Sequence, residues 1–355
     1  GQMGEGSHGT QTLSLVAGYK PGNLISPAFR SRYLLAKTEN TESETPLEED
    51  NWIAAAEWAD SLGADIITSS LGYIGMDQGS SHSYDWQWMN GDSCLITIGA
   101  DLAVNKGIIV CNSAGNEGFH STHNTLGAPS DGDSVIAVGS VNSDKKRSGF
   151  SSVGLTVDGR IKPDVVALGN GNIVAQSGPG NTGYSSGSGT SYSCPMTAGV
   201  CAVILSGNRN LTPMQMKQVL TQTADSSFAP NRRRGWGLIN CWEALKLARN
   251  ITGTGSNNNI LIPEKFVLDQ NYPNPFNPVT KIKFVIPQNG SYPSLNVKLI
   301  IYNSLGREIS NLLNNSLAPG SYQIEFDGSD LPSGVYYYKL ISDNFSDIKK
   351  MILIK

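Results

Sequence analysis

Apolar and polar positions follow two different periods along the chain. Up to about residue 250, short apolar runs alternate with amphipathic helical stretches, which is typical of a parallel sheet with helices on both faces. From residue 265 onwards, apolar and polar residues alternate one by one, which is typical of half-buried antiparallel strands. The pattern predicts an α/β unit followed by an all-β, immunoglobulin-like sandwich.

The same pattern places the individual elements. Apolar runs predict parallel strands at 33–37, 65–68, 107–111, 134–138 and 164–167. Helical patterns are found at 51–62, 94–105 and 212–223. The last of these helices is predicted to begin with Thr212 as N-cap and Pro213 as its first residue. Alternation predicts further strands at 281–286, 296–302, 321–326 and 334–341.

A polar segment separates the two patterns. Residues 251–259 have the sequence ITGTGSNNN, which is the composition of a flexible linker. We therefore place an α/β domain at 1–250, a linker at 251–264 and a β-rich domain at 265–355.

Composition excludes several classes of protein. Apolar residues make up 39% of the chain and charged residues 16%, so the chain is globular and not disordered. A net charge of -4 gives no basis for binding nucleic acid, and no apolar run reaches the roughly 18 residues of a membrane span. The five cysteines are an odd number, and we expect small buried hydrophobic residues rather than disulfides.

Two polar motifs lie where catalytic groups are often found. His8 lies in GSHGT (residues 6–10), before a small-residue helical pattern, and is a candidate general base or a structural histidine. Asn116 lies in NSAGNEG (residues 112–118), directly after a predicted strand. Because the carboxyl ends of parallel strands face the ligand crevice, its amide could donate to an oxyanion, although an Asn-Gly turn would explain the motif equally well.

A third motif, GTSYSCPM (residues 189–196), contains Ser191 and leads into a helix that is small and apolar nearly all round. Such a helix is buried, and its N-terminus offers free N–H groups and the positive end of the dipole to a developing negative charge. Ser191 is thus a candidate nucleophile, with a helix N-cap as the alternative.

In the order His, Asn, Ser, these three motifs resemble the subtilisin-like serine proteases (subtilases, peptidase family S8) over residues 1–250. The resemblance implies a subtilisin-like α/β fold, with His8 as base, Ser191 as the nucleophile that forms an acyl-enzyme, and Asn116 as oxyanion donor. It implies no cofactor for the chemistry, and it leaves structural calcium open because many members bind it.

The resemblance also implies a set of substrate-binding residues. Ser70, Leu71 and Gly72 follow a predicted strand and resemble the segment that pairs with extended substrate backbone. Gly115 and Glu117 flank Asn116, and the position of Glu117 resembles the rim of the primary specificity pocket.

One part of the family pattern is missing from this sequence. The subtilase chain order is Asp, His, Ser, but only seven residues precede His8 and none is Asp. The triad Asp is therefore absent from the chain. We expect an N-terminally truncated domain that is weakly active or inactive.

Chain order also eliminates the rival serine hydrolases. GYSSG at 183–187 matches the motif of the α/β-hydrolases, whose His follows the Ser, yet all four histidines precede this motif. The chymotrypsin order is available, but that fold is all-β and the helical patterns contradict it.

The β-rich part carries a resemblance of its own. YPNPFNP at 272–278, LPSGVY at 331–336 and the basic, apolar end KKMILIK at 349–355 resemble a type A C-terminal sorting domain of the type IX secretion system. The resemblance implies export across the outer membrane of a Gram-negative bacterium and contact with that secretion machinery. A generic immunoglobulin-like adhesion module is the alternative.

Two hypotheses follow for the whole chain. The first is a secreted or cell-surface serine endopeptidase whose partners are protein or peptide substrates and the type IX machinery. The second is a non-catalytic secreted protein whose incomplete protease fold binds peptides.

Overall fold

A computed structural model of the chain describes residues 6–40, 42–178, 180, 182–251, 266–287, 295–317, 320–342 and 345–355. The chain divides between Thr254 and Gly255 into two compact units. Except for residue 251, the linker expected at 251–264 lies outside the described residues, so the domain boundaries stay a prediction.

The first unit contains a parallel sheet, two small antiparallel pairs and several helices. Its helices are α1 His8–Ala17, α2 Pro46–Ser61, α3 Leu95–Asn105, α4 Thr190–Gly207, α5 Pro213–Thr223 and α6 Cys241–Arg249, with a short 3-10 helix at Trp86–Trp88. Its strands are β1 Tyr19–Lys20, β2 Leu24–Ile25, β3 Ile66–Ser69, β4 Ile109–Ser113, β5 Ile136–Val141, β6 Val165–Leu168, β7 Asn170–Ala175 and β8 Tyr184–Ser188. The parallel sheet has the order β3-β4-β5-β6, while β1 pairs with β2 and β7 with β8.

Helices cover both faces of the parallel sheet because side chains alternate along each strand. In β4, Ile109 and Cys111 belong to the core cluster formed with α4, α5 and α6, whereas Val110 belongs to the cluster formed with α2 and α3. The predicted α/β architecture with helices on both faces is confirmed.

The strand predicted at 33–37 is wrong. No residue of that segment lies in a strand, and no described strand pairs with it. Leu35 is 67% exposed. Among the described strands, β3 forms the edge of the parallel sheet, and residues 33–37 do not pair with it. An apolar run forms a strand only where a neighbour accepts its hydrogen bonds, and this segment has none among the described residues. The other four predicted parallel strands are present, each displaced slightly toward the C-terminus.

The predicted start of α5 is confirmed. Thr212 is the N-cap, Pro213 is the first helical residue, and Thr212 and Gln215 form a capping box. The hairpin of β7 and β8 and the helix α6 were not anticipated, since Gly- and Ser-rich strands such as β8 carry little apolar pattern.

A buried ionic cluster lies at the start of β6. The Asp164 carboxylate accepts from Lys162 Nζ and Lys217 Nζ, each at 2.9 Å, and from the Ala137 N–H at 2.8 Å. Burial alone would raise the pKa of Asp164, but the two ammonium groups hold it below its ordinary value. Burial lowers the pKa of Lys162 to about 8. The cluster ties β5, β6 and α5 together.

The five cysteines form no disulfide, as expected. Four are buried and Cys241 is half-buried. The sulfurs of Cys111 and Cys201 lie 4.0 Å apart within the core. Among the described residues, no helix combines the length and the apolar character that crossing a bilayer requires.

The second unit is all-β. Its strands are β9 Val267–Leu268, β10 Val279–Ile286, β11 Leu295–Asn303, β12 Glu308–Leu317, β13 Gly320–Asp327, β14 Gly334–Ser342 and β15 Phe345–Leu353. They form two antiparallel sheets of order β13-β10-β9 and β12-β11-β14-β15. In β10, Ile282 and Phe284 are fully buried while Lys281 and Lys283 are exposed. Both sheets contribute their apolar faces to one core, as a sandwich requires.

Candidate active site

Ser191 lies at the buried start of α4. It is the second residue of the helix and is 9% exposed. Pro195 follows four residues later and has no N–H, so the Ser191 carbonyl has no helical donor and instead accepts from Ser70 Oγ at 2.9 Å. Ser191 Oγ lies 3.4 Å from the Ser70 carbonyl. The backbone after β3 is thereby fixed against the candidate nucleophile.

Asn116 is oriented by the same helix start. Its Oδ1 accepts from the Thr190 N–H at 2.9 Å and from Thr190 Oγ1 at 3.1 Å. Because a backbone N–H can only donate, the amide atom that faces it must be the oxygen, and Nδ2 lies on the other side. Among the described residues, neither Nδ2 nor the Ser191 N–H has an acceptor. Asn116 Nδ2 and the Ser191 N–H are thus two free donors on neighbouring groups, because Thr190 bonds to Asn116 and directly precedes Ser191.

Gly115 and Glu117 belong to the same loop. Gly115 has a φ of +108°, which a side chain would strain, and an added Cβ would lie 2.7 Å from Ser152 Oγ. The Glu117 N–H donates to Ser152 Oγ at 3.1 Å, while its carboxylate is exposed. The glycine lets the loop turn after β4, so that Asn116 meets Thr190.

The segment 70–72 lies alongside the end of β4. The Leu71 carbonyl accepts from Asn112 Nδ2 at 3.0 Å and from Ser113 Oγ at 3.3 Å. Gly72 is exposed. Ser70, Leu71 and Gly72 therefore lie beside Ser191, next to residues that precede Asn116.

His8 is held differently. It is the first residue of α1, it is exposed, and its ring meets the ring of Tyr192 edge-on at 6.2 Å. Tyr192 OH in turn donates to Gln11 Oε1 at 2.5 Å and fixes α1 against α4. In the described part of the chain, no hydrogen bond joins His8 to Ser191 or to a carboxylate. Desolvation by the surrounding atoms lowers the pKa of His8.

The other three histidines lie outside this arrangement: in the described part of the chain none bonds to Ser191 or Asn116, and His82 pairs with the buried Glu49 carboxylate at 2.8 Å. His120 and His123 stack at 3.6 Å, and His123 Nδ1 bonds to the Asn124 carbonyl at 2.6 Å. Within the described ranges, no group of three or more His, Cys, Asp or Glu residues could hold a metal ion. GYSSG at 183–187 lies largely in β8, a strand of an antiparallel pair, and not at a turn between strand and helix.

Sequence reasoning missed three supporting residues. Thr190 orients Asn116, Pro195 frees the Ser191 carbonyl, and Tyr192 fixes α1. The spacing of four residues between Ser191 and Pro195 was a usable signal, because proline leaves the carbonyl four positions earlier without its helical donor.

Comparison with known proteins identifies the family of the chain. A model described as the Subtilase family matches residues 2–237. The chain belongs to the subtilase family. Residues 270–355 of this subtilase match a second model, described as a secretion system C-terminal sorting domain.

Curated relatives of this subtilase include Subtilisin DY from Bacillus licheniformis, which is 36% identical over 188 residues, or 53% of this chain and 59% of that protein. Subtilisin NAT from Bacillus subtilis subsp. natto is 33% identical over 237 residues, or 66% of this chain and 54% of that protein. The chain thus spans little more than half the length of these relatives.

Solved structures share the fold. The self-cleaved protease domain of PatA has a TM-score of 0.54 at 26% identity, covering 68% of this chain and 83% of that one. MycP1 with its N-terminal propeptide removed has the same TM-score at 21% identity, covering 70% and 81%, and supports the fold alone.

Proposed function

We propose that this subtilase is a serine endopeptidase that cleaves peptide bonds of proteins through an acyl-enzyme at Ser191. The observation that carries the proposal is the orientation of Asn116. Thr190 holds its Oδ1, which leaves Nδ2 and the Ser191 N–H as two unpaired donors for one developing oxyanion.

In this proposal, Ser191 Oγ attacks the substrate carbonyl while His8 accepts its proton. The tetrahedral oxyanion is stabilised by Asn116 Nδ2 and the Ser191 N–H. His8 then passes the proton to the leaving amine, and water releases the acyl group by the reverse sequence. Ser70, Leu71 and Gly72 would pair with the substrate backbone beside Ser191.

The candidate base, His8, is the least well oriented residue of this arrangement. No carboxylate among the described residues contacts His8, so nothing there fixes its tautomer or stabilises the imidazolium. Loss of that carboxylate costs about 10⁴-fold in turnover in a serine protease. We therefore expect the 355-residue chain to hydrolyse peptides very slowly, and rapid turnover of a peptide substrate would contradict this expectation.

A fluorophosphonate probe tests the chemistry without requiring rapid turnover. We expect slow labelling of the full chain, located at Ser191 by mass spectrometry, and none in Ser191→Ala. Ser206→Ala, which changes an exposed serine on the same helix, should label like the parent. If Ser191 stays unlabelled while the chain is folded, the endopeptidase proposal fails.

A second function is favoured by one observation, the exposed His8 that makes no hydrogen bond to Ser191 among the described residues. In that alternative, the chain binds peptides without cleaving them. It predicts that peptide binding persists in the folded chain while the fluorophosphonate labels no residue.

We further propose that residues 265–355 direct export of the protein through the type IX secretion system, across the outer membrane of a Gram-negative bacterium. The match to a secretion sorting domain supports this proposal. The full chain, produced in a bacterium that has this system, should reach the medium or the cell surface. It should stay inside a strain that lacks the outer-membrane component, and equal export from both strains would contradict the proposal.

A further inference from the structure

A basic and aromatic patch lies beside the candidate active site. It consists of Phe119, Arg147, Arg232 and Arg233, which we call the arginine patch. The Arg233 guanidinium lies 4.4 Å from the centre of the Phe119 ring, and that of Arg232 lies 5.5 Å from it. Phe119 is 43% exposed and Arg233 is exposed. Within the first unit, the patch is therefore accessible to a ligand.

The positive charges of the patch are not neutralised by neighbouring acids. Among the described residues, none of its three arginines forms an ion pair, whereas Arg160 and Arg234 both do. Burial, together with the positive charge of Arg233, lowers the pKa of Arg147, so these two cations repel one another. Such an excess is unexpected in a chain whose net charge is -4.

The patch is also partly pre-organised. Arg232 donates from one terminal nitrogen to the carbonyls of His120 and His123, each at 2.8 Å, and its Nε is buried without a partner. Arg147 donates to the Ser151 carbonyl. The guanidinium groups of Arg147 and Arg232 are thus held by backbone carbonyls, which carry no charge to offset theirs.

Backbone contacts join the patch to the loop of Asn116. Phe119 follows Asn116 by three residues, and the intervening Gly118 N–H donates to the Phe150 carbonyl at 2.7 Å. Glu117 is the acidic residue on this loop, and its exposed carboxylate forms no ion pair among the described residues. A peptide that reaches Asn116 therefore lies close to the arginine patch.

We propose that the arginine patch binds an acidic segment of the protein substrate near the bond to be cleaved. Guanidinium groups bind carboxylates through paired hydrogen bonds, and an incoming acid would relieve the repulsion between Arg147 and Arg233. The identity of the occupant as substrate rests on the endopeptidase function proposed above, while the preference of the surface for acidic peptides does not.

Binding measurements on the full chain carrying Ser191→Ala test this preference without cleavage. Fluorescence anisotropy would compare a labelled polyglutamate peptide with a polyglutamine peptide of equal length, at about 0.1 M salt. We expect tighter binding of polyglutamate, and we expect Arg147→Glu with Arg233→Glu to weaken it about tenfold. An exposed ion pair contributes up to about 1 kcal/mol, or fivefold, and charge reversal adds repulsion.

Arg209→Glu is the matched control for the single variant Arg233→Glu, because both reverse one charge at an exposed arginine, and Arg209 lies beyond the far end of α4. It should leave polyglutamate binding within about twofold, since at 0.1 M salt charges are screened beyond about 10 Å. Thermal unfolding of each variant checks the fold, and the single variant Arg233→Gln, at an exposed site, gives a milder test if the double variant unfolds.

Two results would overturn the proposal. The first is equal affinity for the two peptides, including the case in which anionic phospholipid vesicles bind instead through these arginines. The second is a preference for polyglutamate that survives the double substitution. If the preference depends on the arginines while the fluorophosphonate fails to label Ser191 in the parent chain, then the endopeptidase proposal fails and the acidic-peptide surface stands.

Discussion

The two sides of the candidate active site are held very differently. Ser191 lies in the buried start of α4, whereas Asn116 lies in the exposed loop after the buried strand β4, and hydrogen bonds through Ser70 and Thr190 fix them. His8 lies on the exposed start of α1, which Tyr192 fixes by a hydrogen bond to Gln11, while the imidazole itself bonds to no described residue.

The difference shows which parts of a catalytic site a core can pre-organise by itself. Groups at the ends of a parallel strand and a buried helix inherit the rigidity of the core. A base on a peripheral helix does not, and it needs a further group to orient its ring. In the proposed endopeptidase, the candidate nucleophile and oxyanion donors are therefore already oriented, whereas the candidate base His8 would limit the rate.

The largest effect is expected for the ionic cluster around Asp164, which joins β5, β6 and α5 in the core. Asp164→Asn leaves the buried Lys162 and the half-buried Lys217 without their carboxylate, so we expect the free energy of unfolding to fall by about 3–5 kcal/mol. Urea unfolding measures this loss. The exposed Asp158, paired with Arg160, is the control, and Asp158→Asn should cost about 1 kcal/mol or less.

The sign of the pH dependence follows from the same cluster. Because the folded-state pKa of Asp164 lies below the unfolded value, its stabilisation is complete above the unfolded pKa and is lost as the pH falls through the folded one.

Equal losses of unfolding free energy in Asp164→Asn and Asp158→Asn would show that the cluster does not support the core.

The next effect separates the orientation of Asn116 from its function as a donor. Asn116→Asp keeps an oxygen for the Thr190 N–H but replaces Nδ2 by a second oxygen. Fluorophosphonate labelling should therefore slow by about 10²-fold or more, while the melting temperature changes little. Labelling at the parental rate would show that Asn116 is no oxyanion donor.

The role of His8 is tested by the pH dependence of labelling. His8 accepts a proton only when it is neutral, and desolvation places its pKa below the ordinary value near 6.5. The labelling rate should stay level from neutral pH down to that pKa and then fall about tenfold per pH unit. A midpoint above the ordinary value would indicate an acidic partner of His8.

The smallest effect concerns the hydrogen bond between Tyr192 on α4 and Gln11 on α1. Tyr192→Phe removes the hydrogen bond to Gln11, so we expect a loss of about 0.5–1.5 kcal/mol in stability. Labelling should slow by up to about fivefold, because α1 carries His8. Tyr33→Phe removes a hydroxyl that lies 2.6 Å from the Ala28 carbonyl and 3.1 Å from that of Val16, near the other end of α1, so it should lower stability without slowing labelling.

Much of the fold could be predicted from the sequence, because buried faces of helices and strands impose a periodic pattern of apolar residues. The apolar runs before Ser70 and Asn116 predicted β3 and β4, and Thr212 followed by Pro213 predicted the start of α5. The run at 33–37 failed, since an apolar pattern records the tendency to be buried but not whether a neighbouring strand is present.

The candidate site could be predicted only in part, because motifs name residues and not their contacts. Spacing singled out His8, Asn116 and Ser191, but it could not show that Thr190 orients Asn116. Nor could it show the arginine patch, since Phe119 and Arg233 are far apart in sequence and come into contact only in the folded chain.

The edge position of β3 affects how the protein behaves at high concentration. Among the described residues, β3 pairs only with β4, so its outer side offers unpaired N–H and C=O groups. An uncovered edge of this kind can template pairing with any extended chain, a second copy of the protein included. Self-association through this edge would grow with protein concentration, so dilute solutions suit measurements on the single chain.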